Sequence, residues 1–110
     1  MNIIELNADN FDQVIHDHHF LLIDFWAKWC KPCQTFKTVI DRVAPEYPDF
    51  LFARIDIEDQ KALADEFEVR SIPSVMILRD NVVVYAESGA LSMSVLRDLL
   101  DQAKALDENQ

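Results

Sequence analysis

The sequence predicts an α/β fold in which a mostly parallel sheet carries helices on both faces and closes with an antiparallel hairpin. Three observations predict it. Short apolar runs alternate with segments of helical spacing along most of the chain, the pattern of βαβ units. The run Phe20-Leu-Leu-Ile-Asp-Phe-Trp26 is continuously apolar, broken only by Asp24, as in a strand covered on both sides. Two later apolar runs are separated only by Arg79-Asp80-Asn81, and Asp and Asn tolerate the positive φ of a tight hairpin.

Element by element, Ile3-Ile4-Glu5-Leu6 reads as a short strand. Asn7 suits a helix N-cap, with Phe11, Val14 and Ile15 on one helical face. Phe20 to Trp26 is the second strand. From Cys33 onward Phe36, Val39, Ile40 and Val43 follow helical spacing, and Pro45 and Pro48 lie beyond that helix. Leu51 to Asp56 is the third strand, and Leu63, Ala64 and Phe67 mark a short helix. Val75 to Leu78 and Val82 to Tyr85 form the hairpin. Ser92 caps a last helix striped by Val95, Leu96, Leu99, Leu100 and Ala103, with residues 107–110 as a frayed tail. The order is β-α-β-α-β-α-β-β-α.

A chain of 110 residues, half of them hydrophobic, builds one domain over residues 1–110 without disulfide staples. Twenty acidic residues against 10 basic ones give a net charge of −10, which argues against nucleic acid and anionic membranes as partners. Lys28, Lys31 and Lys37 cluster in or beside the cysteine motif, so the expectation is a locally basic surface on an acidic body. Met1-Asn-Ile-Ile-Glu5 lacks the basic and long apolar regions of a signal peptide, and no stretch approaches the roughly 18 apolar residues of a membrane span. The expected location is the reducing cytoplasm, where a lone dithiol is more often catalytic than structural.

Chemistry is concentrated in Trp29-Cys30-Lys31-Pro32-Cys33, which holds both cysteines. Thiols at this spacing meet across the first turn of a helix and can form a disulfide without moving the fold. Placed between a strand end and a helix start, the pair sits where open sheets keep their sites. At a helix N-terminus Cys30 faces unpaired N–H groups and the positive end of the helix dipole, and Lys31 adds a cation; all favour the thiolate. Cys30 is therefore the attacking thiol. Cys33, further in, resolves the mixed disulfide. Pro32 stiffens the loop at a position whose N–H has no helical partner in any case. The alternative is half a zinc site. Zinc requires about four ligands, and the only histidines, His16, His18 and His19, precede the strand and belong at its far end as solvated loop residues.

Asp24 is the second informative residue. A carboxylate among Leu, Ile and Phe is costly unless paired or protonated, and burial raises its pKa toward neutrality. It shares a strand face with Trp26, so it can accept the Cys33 proton, with Arg54 as a possible counter-charge. The alternative is a solvent-facing Asp24 at an irregular strand position. Ile72-Pro73 precedes a strand, where proline loses no ladder bond.

Asp24-Phe-Trp-Ala-Lys-Trp-Cys-Lys-Pro-Cys33, Ile72-Pro73-Ser74 and Ser88-Gly89-Ala90-Leu91-Ser92 together resemble the thioredoxin family, nearly end to end. The resemblance implies a thioredoxin fold: a central five-stranded mixed sheet in the order 1-3-2-4-5 flanked by four helices. It implies a protein-disulfide reductase, a monomer without a bound cofactor or metal, acting on disulfide-containing proteins. A flavin- and NADPH-dependent thioredoxin reductase would recharge it. It also implies a cis Ile72-Pro73 bond facing the sulfurs, with Ile72, Pro73 and Gly89 binding substrate and Trp26, Trp29, Lys31, Pro32 and Arg54 shaping the site. The family's buried aspartate matches Asp24, and its partner lysine matches Arg54, which cannot deprotonate as lysine can.

The departures are Lys31 for the motif's glycine, Lys28 at an often acidic position, Asn81 for the hairpin glycine, Ser71 for a glycine, and Thr38 for the proline that kinks the second helix. Two rival readings follow: a binding module with incidental redox chemistry, or a more oxidising isomerase or oxidase tuned by Lys31. A tenfold easier ionisation of Cys30 favours the reduced form by about 1.4 kcal/mol, roughly 30 mV. From a family value of about −270 mV, that leaves the pair far from strong oxidants at about −120 mV. Reductant is the better reading.

Overall fold

Each apolar run becomes a strand and each striped segment a helix in the computed structural model, which describes residues 3–108. The elements are β1 (Ile3–Glu5), α1 (Phe11–Asp17), β2 (Phe20–Trp26), α2 (Lys31–Val43), a 3-10 turn (Ala44–Glu46), β3 (Phe50–Asp56), α3 (Lys61–Glu66), β4 (Ser74–Arg79), β5 (Val82–Ser88) and α4 (Met93–Glu108). The sheet order is β1-β3-β2-β4-β5. β1, β3 and β2 run parallel, and β4 and β5 are antiparallel, as the expected fold requires.

The sheet separates two apolar layers. Phe20, Leu22, Phe50, Phe52, Val75 and Ile77 pack against Phe36, Ile40 and Val43 of α2 and Leu96, Leu100 and Ala103 of α4. Leu21, Ile23, Phe25, Ala53, Ile55, Met76 and Leu78 meet Leu63 of α3 and the half-buried Phe11, Val14 and Ile15 of α1. Because β2 is sandwiched, Phe20 through Phe25 are all buried.

Several local expectations are met. Asp80 and Asn81 adopt φ of +51° and +68°, the backbone of a two-residue hairpin with positive φ at both central positions. Ser92 Oγ accepts the N–H of Val95 at 3.2 Å, capping α4.

Others are corrected. Asn7 does not cap α1, which starts four residues later at Phe11. Its side chain instead accepts the N–H groups of Asp9 and Asn10, closing a turn ahead of the helix. Val95 stands 45% exposed, so the stripe on α4 is narrower than its spacing implied. α4 continues to Glu108, with no Gly or Pro to interrupt it, and of the tail expected to fray over 107–110, residues 109–110 lie outside the described residues. The histidines are not simply loop residues. His16 lies in the last turn of α1, half-buried His18 bonds through Nδ1 to the Val14 carbonyl at 2.8 Å, and His19 pairs with Asp80. They do lie before β2, about 20 Å of strand from the cysteines.

Candidate active site

Ala27 ends the apolar run of β2, and the chain turns at once into α2. Cys30 is the N-cap of that helix, Lys31 its first residue and Pro32 its second. The two cysteines are joined as a disulfide, with Cα atoms 5.2 Å apart, inside the span a disulfide bridges without backbone movement. Cys30 Sγ accepts the N–H of Cys33 at 3.2 Å, so one unpaired donor of the helix start already points at the sulfur. The carbonyl of Cys30 accepts the Gln34 N–H. Both sulfur-bearing residues are covered, Cys30 at 4% and Cys33 at 1% exposure. Ala27, Trp26, Ile57 and Ile72 pack around them. The expected difference in burial between the two thiols has the right sign but is small.

Beneath them, adjacent strands bring three charges into line. Parallel register sets Asp24 beside Arg54 and Glu5 on the other side of Arg54. Asp24 is fully buried, which excludes the solvent-facing alternative. Arg54 Nε donates to Asp24 Oδ2 at 3.1 Å, and Arg54 Nη1 lies 3.8 Å from Glu5 Oε2. The guanidinium carbon sits 4.2 Å from the centroid of the Trp26 ring, and Trp26 Nε1 donates to Glu5 Oε1 at 3.4 Å. Burial pushes the Asp24 carboxyl up to about 6; the charge and hydrogen bond of Arg54 pull it down, and the Glu5 charge raises it. The net result is a carboxyl held well above its ordinary range.

The outer rim is built from loops. Trp29 is 65% exposed, and its Nε1 donates to Glu58 Oε2 at 2.8 Å. Glu58 in turn is held by its N–H bonding to Asp56 Oδ1. The Ile72–Pro73 bond is cis, and the Pro73 carbonyl accepts the Gly89 N–H at 2.8 Å. Gly89 has φ +113°, a conformation side chains disfavour. Ile72 packs on the cysteine cluster, and Gly89 is tied to the neighbouring Pro73 through this hydrogen bond.

The local basic surface is corrected. Lys31 is exposed, but Lys37 pairs with Asp41 at 2.9 Å, and Lys28 shares a cavity of about 440 Å³ with Glu5, Asp56 and Asp59. The last residues of β1 and β3 and the turn after β3 bring carboxylates to this edge. Sequence reading missed Glu5, Asp56 and Glu58. The acidic run Asp56-Ile-Glu-Asp59 that closes the third strand carried a signal for the last two, whereas Glu5 is recognisable only once strand register is known.

The Thioredoxin family model matches residues 2–102 of this dithiol-bearing chain. The chain belongs to the thioredoxin family. It is 45% identical over 107 residues to a Streptomyces coelicolor protein carrying the name thioredoxin 2, covering 97% of this chain and 80% of that one. It is 40% identical over 100 residues to thioredoxin C-3 of Corynebacterium nephridii, covering 90% of this chain and 69% of that one. Among solved structures it is similar to a mutant thioredoxin from Halobacterium salinarum, with a TM-score of 0.84, 31% identity, and coverage of 91% of this chain and 88% of that one. As a thioredoxin-family member with an intact dithiol, the chain is a thiol–disulfide oxidoreductase of the protein-disulfide reductase type, and its substrates are disulfides. No helix among the described residues is long and apolar enough to cross a membrane.

Proposed function

We propose that Cys30 attacks a substrate disulfide, that Cys33 resolves the resulting mixed disulfide, and that Asp24 accepts the Cys33 proton. The N–H of Cys33 directed at Cys30 Sγ carries this reading, because the donor that serves the disulfide sulfur also stabilises a thiolate there. In the first step the Cys30 thiolate forms a bond to one substrate sulfur and expels the other as thiolate. In the second, Cys33 passes its proton to Asp24 and attacks Cys30 Sγ. The protein disulfide forms, and the second substrate sulfur leaves as thiolate. Two electrons move from the dithiol to the substrate, and the proton stays at the carboxylate until solvent removes it.

Ile72, Pro73 and Gly89 bind an extended substrate segment beside the sulfurs. Trp29, Lys31 and Pro32 shape the approach, while Arg54, covered by the Trp26 ring, holds Asp24. The electron donor is a flavin- and NADPH-dependent thioredoxin reductase, and the chain works as a single-domain monomer in the cytoplasm, in keeping with its cysteine usage and acidic charge. Insulin reduction by a dithiol reductant tests the chemistry. Turnover is expected with wild type and lost in Cys30→Ser, and Cys33→Ser accumulates a mixed disulfide on Cys30. Trapping on the opposite cysteine would reverse the assignment.

A further inference from the structure

Arg54 is one cation with two carboxylates. The register that puts Asp24 opposite Arg54 on β2 and β3 also puts Glu5 opposite Arg54 on β1, so the three side chains form a row across adjacent strands. Arg54 is nearly covered, at 7% side-chain exposure, and Asp24 fully so; Glu5, at 58%, is the member of the row in contact with solvent. Glu5 is nonetheless held. Trp26 donates to its Oε1 while the same ring lies against the guanidinium, so one indole fixes both ends of the Glu5–Arg54 contact.

We propose that Glu5 is a positioning residue of the dithiol centre, sharing the Arg54 guanidinium with Asp24 and so governing how readily Asp24 holds a proton. This rests on the reading of Asp24 as the proton acceptor. A guanidinium drawn toward Glu5 compensates Asp24 less, and the Glu5 anion itself opposes a second negative charge nearby. Both effects keep the proton on Asp24. The charge on Glu5 is itself opposed by Asp56 from β3 and favoured by Lys37 from α2, whereas β4 sets only Val75 opposite Asp24. The arrangement gives an otherwise buried base a link to the ionic conditions outside, since the exposed member of the row feels salt and the buried one does not.

Glu5→Gln tests this, because the amide oxygen can still accept from Trp26 while the charge is gone. The probe is the carboxyl carbon of Asp24, titrated by NMR in the oxidised protein, together with the pH profile of single-turnover insulin reduction. The midpoint for Asp24 is expected to fall by about half a pH unit, and the acid limb of the rate profile to move with it. The displacement shrinks at high salt. Asp12→Asn, which removes the same charge from an exposed position of α1, is expected to leave both measurements unchanged. An Asp24 midpoint that does not move in Glu5→Gln, or moves equally in Asp12→Asn, overturns the role of Glu5. The underlying reading fails differently. If Asp24→Asn turns over at the wild-type rate with the wild-type profile, the base is lost and the role of Glu5 with it, even where the NMR displacement persists.

Discussion

The two faces of the sheet start alike and end differently. Under α2 and α4, successive cross-strand rows read Phe20–Phe50, then Leu22–Phe52–Ile3, then Asp24–Arg54–Glu5. On the opposite face the rows read Leu21–Leu51, Ile23–Ala53–Ile4 and Phe25–Ile55, without a charge. Both faces are equally dry along β2. Only the face that meets the dithiol helix exchanges its aromatic row for an ionic one, and it does so toward the cysteine end of β2, one row before Trp26–Asp56. Ions buried beside a hydrophobic core lower stability unless fully compensated, and here Asp24 Oδ1 accepts no hydrogen bond among the described residues. The contrast therefore separates a face packed only by apolar side chains from one that buries an ionisable carboxyl.

The widest break in this contrast comes from removing the cation. Arg54→Met leaves the buried Asp24 without compensation, and unfolding by urea should show a loss of about 3–5 kcal/mol at pH 8. Arg54 lowers the pKa of Asp24, so its removal raises that pKa above the wild-type value of about 6. The loss should then grow as pH rises beyond 6 and diminish toward pH 5, where both proteins keep Asp24 protonated. A loss independent of pH would mean that Arg54 acts by packing alone. On the other face, Ile23→Ala removes a fully buried side chain one residue from Asp24 and should cost about 2–4 kcal/mol through cavity formation. That loss should be the same at pH 5 and pH 8.

Asp24→Asn sharpens the comparison with a change of opposite sign. The folded carboxyl is raised to about 6 from an ordinary value of 3.8. The native state therefore binds more protons than the unfolded chain between these values. Its contribution to stability is fully present below about pH 4 and is lost as pH rises through 6. At pH 7 the ionised wild type carries that loss and the amide does not, so Asp24→Asn should gain about 1–3 kcal/mol, less whatever Arg54 forfeits with a neutral partner. The gain should vanish toward pH 4. Resolution by Cys33 should slow by about tenfold to a hundredfold near neutrality, as when a general base is removed. Greater stability with slower turnover is the signature of a charge retained for chemistry.

Features carried by near neighbours were legible in the sequence. The apolar run of β2, the strand-to-helix position of Cys30, the Asp80–Asn81 turn and the Ser92 cap each depend on a few consecutive residues. Asp24 was legible because one carboxylate among Leu, Ile and Phe has few physical outcomes. The start of α1 was not, because the Asn7 side chain bonds the N–H groups of Asp9 and Asn10 and closes a turn, while Asn10 takes the N-cap position without a side-chain cap bond. Glu5 was not either. Its contact with Arg54 crosses 49 positions of sequence and exists only because β1 pairs with β3 in one register. Trp29 and Glu58 belong to the same class, two loop residues joined through the order of the strands between them.

The smallest effect tests the end of the sheet farthest from the cysteines. Asn81 holds φ at +68° in the second central position of the β4–β5 turn, where glycine would be unstrained. Asn81→Gly relieves the left-handed backbone but gives the unfolded chain more freedom, and the two effects nearly cancel because asparagine already tolerates this region. A gain of only about 0.3 kcal/mol is expected, visible as a slight rise in the urea midpoint with unchanged slope. It should be identical at pH 5 and pH 8 and should leave insulin reduction untouched. A pH-dependent gain would show that the hairpin end is coupled to the ionic row, and the division of the sheet into a folding region and a proton-holding region would have to be redrawn.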